Sequence, residues 1–364
     1  MAARIPVSLI TGFLGSGKTT LLNHLLRDPA LAGAAVIINE FGEIGLDHLL
    51  VATPSENTVL LANGCICCTV RGDLTDTLAG LARKRDSGEL PRFDRVLIET
   101  TGLADPVPVL QTLITDEATA PSYRLDSVVT LVDGVHGAGQ LDAHAEAVKQ
   151  AAIADRLLIT KGDIAGADTL ATLERRLDRI NPAAGRTRVV RGEIEPQLLF
   201  GAALHEAAAD NPRFARWLAH EAVAVAEACP DHGHAHARSA RHDDRVSAYC
   251  VYLDRPVTRA GLIMWLNLLA GLRGANLLRV KGLLNVEGSP VAVHAVQTLI
   301  DEPVELARWP DTERRSRLVF ITRDMPRAAI EKTLPMLAFD AGAPRGTIDP
   351  HAYARFAAAA RNFH

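Results

Sequence analysis

Residues Gly12 to Thr19 read GFLGSGKT, a GxxxxGK[ST] signature set between the apolar run VSLI and the helical pattern TTLLNHLL. The motif requires that context, a strand running into a glycine-rich loop that opens a helix. Such a loop turns the backbone amides from Gly15 to Thr19 toward an anion at a helix N-terminus, and Gly15 and Gly17 let the main chain come close. Gly12, Ser16 and Thr20 complete the candidate nucleotide-binding stretch. Lys18 would reach the β and γ phosphate oxygens, and the Thr19 hydroxyl would reach magnesium. A glycine-rich turn that merely starts a helix is the alternative.

The chain that follows repeats the strand-then-helix rhythm. AAVIIN, TVLL, RVLIE, SVVTLVD and RLLIT are short runs, several apolar throughout, as expected for strands covered on both faces of a parallel sheet. Asp73, Pro106 and Asp168 stand where helices would start. The expectation is an α/β fold, a P-loop doubly wound, mostly parallel sheet over residues 1–209. Residues 210–245, with CPDHGHAHARSARHDD, are polar and crowded with histidine and read as a linker. Residues 246–340 carry VSAYCVYLD, a helix from Thr258 through Leu269, and three further apolar runs. They suggest a smaller α+β domain, an antiparallel sheet with helices on one face. Residues 341–364 suggest a terminal helix.

A phosphate loop needs partners. RVLIETTGLADP ends a strand with Glu99, which would approach magnesium, and puts Gly102 where it would sense a γ-phosphate. RLLITKGD ends another strand with Thr160, Lys161, Gly162 and Asp163, like the guanine-reading NKxD with threonine for asparagine. An aspartate accepts two hydrogen bonds from guanine N1 and N2, a donor pair that adenine lacks. The Lys161 stem would cover the base. Glu99 as an ordinary strand-end carboxylate and Asp163 as a helix cap are the plainer alternatives.

NGCICC crowds Cys65, Cys67 and Cys68 together. Thiolates select zinc, copper(I) or cobalt(II) over magnesium, and a disulfide between adjacent cysteines would be strained. Small buried hydrophobes or a redox switch are the alternatives. Five cysteines in all do not read as a secreted disulfide framework. With no secretion signal ahead of the motif and no apolar run of spanning length, a cytoplasmic location without a membrane is expected. The formal charge of -4 and 4% aromatic residues disfavour nucleic acid as a partner.

TGFLGSGKTTLLNHLL, INEFGEIGLD, NGCICC and ETTGLADP, in this order, resemble the CobW family, within the metallochaperone GTPases that include UreG and HypB. The resemblance is strongest over the first two hundred residues and looser over 246–340. It implies a SIMIBI-type GTPase domain, a CobW C-terminal domain, slow GTP hydrolysis, and zinc or cobalt delivered to a client metalloprotein. It makes Cys65, Cys67 and Cys68 thiolate ligands, Glu43 a possible oxygen ligand, Glu40 a weaker one, and Asp47 a magnesium contact. Oligomeric state stays open between a monomer and a homodimer that depends on metal or nucleotide. His232, His234 and His236 are weak metal candidates in a tract that a solvated linker explains almost as well.

Coupling is then expected through the segment from Asn39 to Asp47, ordered by γ-phosphate and magnesium and completing a metal site against CICC. Zinc is the favoured cargo. The rival readings are a cobalt chaperone for cobalamin biosynthesis or another metalloenzyme, a small-molecule kinase lacking a recognisable acceptor site, and a non-enzymatic zinc store or redox sensor.

Overall fold

The computed structural model describes residues 4–39, 59–63, 71–201, 245–271 and 276–339. These form two compact units, one built on residues up to 206 and the other on residues from 246.

In the first unit, β1 (Ile5–Gly12), β2 (Ala34–Asn39), β3 (Val59–Asn63), β4 (Arg95–Glu99), β5 (Tyr123–Asp133), β6 (Arg156–Thr160) and β7 (Gly185–Val189) make one sheet. Its order is β3-β2-β4-β1-β5-β6-β7, and every pairing is parallel. Consecutive strand residues face opposite sides. Val7 and Leu9 are as buried as Ile10, so β1 is covered on both faces, as its unbroken apolar run implies. Helix α1 (Lys18–Leu25) sets Leu21, Leu22 and Leu25 into a core with Ile10, Val36, Ile38 and Leu131.

Three details depart from the reading of the sequence. Helix α2 (Arg71–Asp86) begins before Asp73, so that residue lies within the helix and is not its cap. Pro106 does precede α3 (Val107–Thr115), but α6 (Ala167–Ile180) is capped by Gly166, with Asp168 in its first turn, where a carboxylate suits the helix dipole. Helices α4 (Gly137–Ala143) and α5 (Ala145–Ala152) and the edge strand β7 have no counterpart among the expected elements.

The amino-terminal end of the sheet is tied by Asp126, whose side chain is fully buried. It accepts from Ser8 Oγ at 3.0 Å and Arg95 Nη1 at 2.9 Å, and from the Gly201 amide at 3.2 Å. Arg95 also lies 4.1 Å over the Phe200 ring. One carboxylate thus joins β1, β4 and β5 to the point where the described chain leaves the unit.

In the second unit, β8 (Val246–Leu253), β9 (Leu277–Val286), β10 (Ser289–Val296), β11 (Leu299–Ile300), β12 (Val304–Glu305) and β13 (Ser316–Arg323) form an antiparallel sheet of order β11-β10-β9-β13-β8, with β12 on β10. Helix α7 (Arg259–Gly271) packs Leu262, Trp265 and Leu269 with Val280, Leu284, Leu318 and Phe320 of the sheet. Trp265 meets Phe320 edge-on at 6.3 Å and donates from its indole nitrogen to Thr333 Oγ1 at 2.9 Å. A short helix, α8 (Arg327–Glu331), follows β13. The expected terminal helix over 341–364 and nearly all of the expected linker over 210–245 lie outside the described residues.

Asp126→Ala would leave Arg95 and Ser8 facing an empty buried site. A loss of about 3 kcal/mol in unfolding free energy is expected, read by urea denaturation, with nucleotide affinity unchanged because the P-loop lies at the other end of the strands. A loss near zero would show that the cluster is dispensable.

Candidate nucleotide site at the carboxyl edge of the parallel sheet

Parallel strands deliver their last residues to one edge. Register pairs Ile10 with Glu99, Gly12 with Leu131, and Asp133 with Thr160, so the P-loop, Glu99 and the TKGD turn all stand there. This is the edge at which open α/β sheets bind ligands.

The P-loop joins β1 to α1. Gly12, Gly15 and Gly17 have φ of 144°, 72° and 93°, a backbone path that side chains rarely adopt. A Cβ on Gly12 would stand 2.4 Å from Leu131 O, so the loop leaves the sheet through a gap only glycine fits. Lys18 is buried and folds back over the loop, donating from Nζ to Gly12 O at 2.8 Å and Phe13 O at 3.2 Å. Its ammonium therefore sits across the mouth of the loop. Ser16 Oγ is buried with no hydrogen-bond partner. Thr19 is half-buried and Thr20 exposed in the first turn of α1. A left-handed glycine path, a cation folded over it and an unsatisfied hydroxyl fit a phosphate group. Thr19 and the buried Glu99 offer the hard oxygen donors that magnesium prefers.

The turn after β4 reaches the P-loop directly. Thr100 Oγ1 donates to Thr11 Oγ1 at 2.8 Å, and a Cβ on Gly102 would lie 2.7 Å from Leu14 N and 2.8 Å from Leu14 Cα. Only glycine allows the two loops to touch this closely.

The TKGD turn is tied in as well. Thr160 Oγ1 donates to Ser16 O at 2.7 Å, and its methyl group lies 3.7 Å from where a Gly17 Cβ would be. The residue that replaces asparagine therefore binds the phosphate loop. Lys161, at φ 55°, pairs through Nζ with Asp133 Oδ2 at 2.7 Å. Burial would raise the Asp133 pKa, but the Lys161 hydrogen bond and the amides of His136 and Val135 outweigh it and hold the carboxyl below its ordinary value. Asp163 stands exposed two residues further on.

Sequence reasoning missed several neighbours. Asp133 ends the run TLVD, and a carboxylate closing an apolar strand is a usable signal. Gln140 of α4 donates to Leu14 O at 3.3 Å, and Phe13 stacks on His144 with ring centroids 4.4 Å apart. Gly192, at φ 80°, fits against Thr20 O, bringing the segment after β7 onto α1.

Glu40, Glu43, Asp47, Cys65, Cys67, Cys68, His232, His234 and His236 lie outside the described residues. Among the described residues, no three His, Cys, Asp or Glu side chains are grouped to hold a metal ion. The residues that bracket the two candidate metal segments are described. Asn39, the last residue of β2, is the register partner of Asn63, the last residue of β3, and both strands end at the nucleotide edge.

Comparison with known families returns two matches. Residues 6–188 match the CobW/HypB/UreG nucleotide-binding domain, and residues 246–338 match the cobalamin synthesis protein CobW C-terminal domain. The chain belongs to the CobW/HypB/UreG family. It is thus a P-loop GTPase by family. The zinc chaperone YjiA of Escherichia coli is 36% identical over 332 residues, covering 90% of this chain and 96% of that protein. The zinc chaperone CobW of Pseudomonas aeruginosa is 32% identical over 367 residues, covering 91% of each. The crystal structure of Zn(II)-bound YjiA GTPase superposes with a TM-score of 0.66 at 31% identity, over 92% of this chain and 99% of that one.

Thr160→Val keeps the shape of the residue and removes the donor to Ser16 O. Because the lost bond supports the phosphate loop, GTP and GDP binding should weaken together by about tenfold, the scale of one buried acceptor left unsatisfied. Thr160→Ser should bind like the parent. Calorimetric titration of each variant checks this, and an unaltered Val variant would separate the turn from the phosphate loop.

Proposed function

We propose that the chain is a GTP-dependent zinc chaperone that binds zinc through Cys65, Cys67 and Cys68 with Glu43, hydrolyses GTP slowly, and releases the metal to a client metalloprotein. Support comes from near full-length similarity to two proteins named as zinc chaperones, together with the P-loop edge that this chain builds. The observation that carries the coupling is the register pairing of Asn39 with Asn63. Neighbouring parallel strands lie about 4.8 Å apart. The segment bearing Glu40, Glu43 and Asp47 and the segment bearing the three cysteines therefore start side by side, on the edge that also carries Glu99 and the P-loop.

In this reading the loop amides and Lys18 hold the phosphates, Gly102 reads the γ-phosphate, and Asp163 accepts from the guanine edge while Thr160 keeps its turn against the P-loop. Thr19 and Glu99, with Asp47, would hold magnesium, which would offset the charge of the phosphates. Arg71, just after the cysteines, is a candidate arginine finger; unless it serves, intrinsic turnover is slow until a partner supplies one. A triphosphate that orders the Asn39–Asp47 segment would complete the zinc site, and loss of the γ-phosphate would loosen it. By linkage, zinc must then tighten GTP binding by the same factor.

Competitive titration with zinc and cobalt, in magnesium with a non-hydrolysable GTP analogue, GDP or no nucleotide, tests the reading. Zinc should bind at least about tenfold more tightly with the triphosphate, a coupling of about 1.4 kcal/mol. Equal affinity in all three states would sink the coupling, and a preference for cobalt would change the cargo.

A further inference from the structure

The turn after β4 is gripped from two sides. Gly102 lies against Leu14 of the P-loop. On the other side stands Gln150 of α5, only 1% exposed, whose Nε2 donates to Gly102 O at 3.2 Å and to Ala104 O at 3.0 Å. A side-chain amide nitrogen carries two hydrogens, so both are committed to this turn. Gln150 is itself anchored, since its backbone carbonyl accepts from Thr130 Oγ1 of β5 at 2.8 Å. Next to it, Lys149 pairs with Asp105 of the same turn at 2.5 Å.

The amide has a second feature that packing does not explain. Gln150 Oε1 is buried with no hydrogen-bond partner. An empty buried acceptor is costly. Turning the amide over gives no relief, because it would aim the oxygen at two carbonyls. The arrangement keeps an unsatisfied atom in order to hold the turn.

We propose that Gln150 is a positioning residue for recognition of the terminal phosphate. In a trans peptide the N–H points opposite to the C=O. Fixing the Gly102 and Ala104 carbonyls on α5 turns the amides of Leu103 and Asp105 away from α5. The turn is thereby set before nucleotide arrives, which lowers the ordering cost of the triphosphate complex and leaves the diphosphate complex untouched. The inference rests on Gly102 as the γ-phosphate sensor.

The test uses the full chain carrying Gln150→Met, of similar length without donors, and Gln150→Glu, with Gly102→Ala in parallel. Binding of a non-hydrolysable GTP analogue and of GDP is measured for each. Gln150→Met should weaken the triphosphate about tenfold and GDP less than twofold. Gln150→Glu should do the same at about pH 8 and recover in part at about pH 6, because a protonated carboxyl regains one donor and burial raises its pKa. Parent-like triphosphate-to-diphosphate ratios in both Gln150 variants, beside a Gly102→Ala that loses discrimination, would overturn the Gln150 proposal alone. Parent-like ratios in all three would overturn the sensor reading. Should the variants not fold, the parent protein decides. Its Gln150 side-chain NH2 resonances should exchange slowly with water and shift between GDP and the GTP analogue, and an unshifted pair overturns the proposal.

Discussion

Strand direction is the constraint on which the rest depends. In a parallel sheet each strand spends its length in the core and releases its last residue on the same side. A loop there inherits the rigidity of the strand behind it. Here Gly12, Glu99, Asp133 and Thr160 end four neighbouring strands that are buried along nearly their whole length. An antiparallel neighbour would have sent one of these groups to the opposite edge. In the second unit the named strands all pair antiparallel, so among the described residues neighbouring strands release their ends at opposite edges.

Convergence alone would leave separate loops, and short contacts make them one assembly. Thr160 hangs the TKGD turn on Ser16 O, and Gly102 presses the turn after β4 against Leu14. Gln140 reaches the P-loop from α4. The two hydrogen bonds end on backbone carbonyls of the P-loop, Ser16 O and Leu14 O, and Gly102 packs on the Leu14 backbone and side chain. The loops thus form one contiguous set of contacts, the physical material through which coupling between sites can be carried.

The sequence made legible whatever local chemistry dictates. The glycines, lysine and threonine of GFLGSGKT announce the phosphate loop, and continuous apolar runs announce strands covered on both faces. Helices α4 and α5 escaped because half of GAGQLDAHAEAVKQAA is alanine and glycine, so the apolar face of α5, Ala147, Val148, Ala151 and Ala152, is built almost wholly of small side chains. Strand β7 escaped because arginine alternates along an edge strand with one face open. Gln150 had no signal at all, since a glutamine among alanines looks like a solvent residue until the turn it holds is seen. Thr160 was legible as a threonine where the guanine-reading pattern has asparagine. Its bond to Ser16 depends on β6 standing next to β5 and could not be read from one segment.

Gly12 bears on how variants of this chain should be interpreted. Any side chain there meets Leu131 O at 2.4 Å and Leu131 N at 3.0 Å, atoms of the neighbouring strand's backbone that cannot swing aside. A replacement would pry β1 from β5 before it altered a single phosphate contact. Genetic lesions at this codon would thus report on assembly of the sheet, and a Gly12 mutant is a poor choice as a binding-dead control. Lys18, whose side chain reaches over the loop without wedging strands apart, is the position at which loss of nucleotide can be separated from loss of fold.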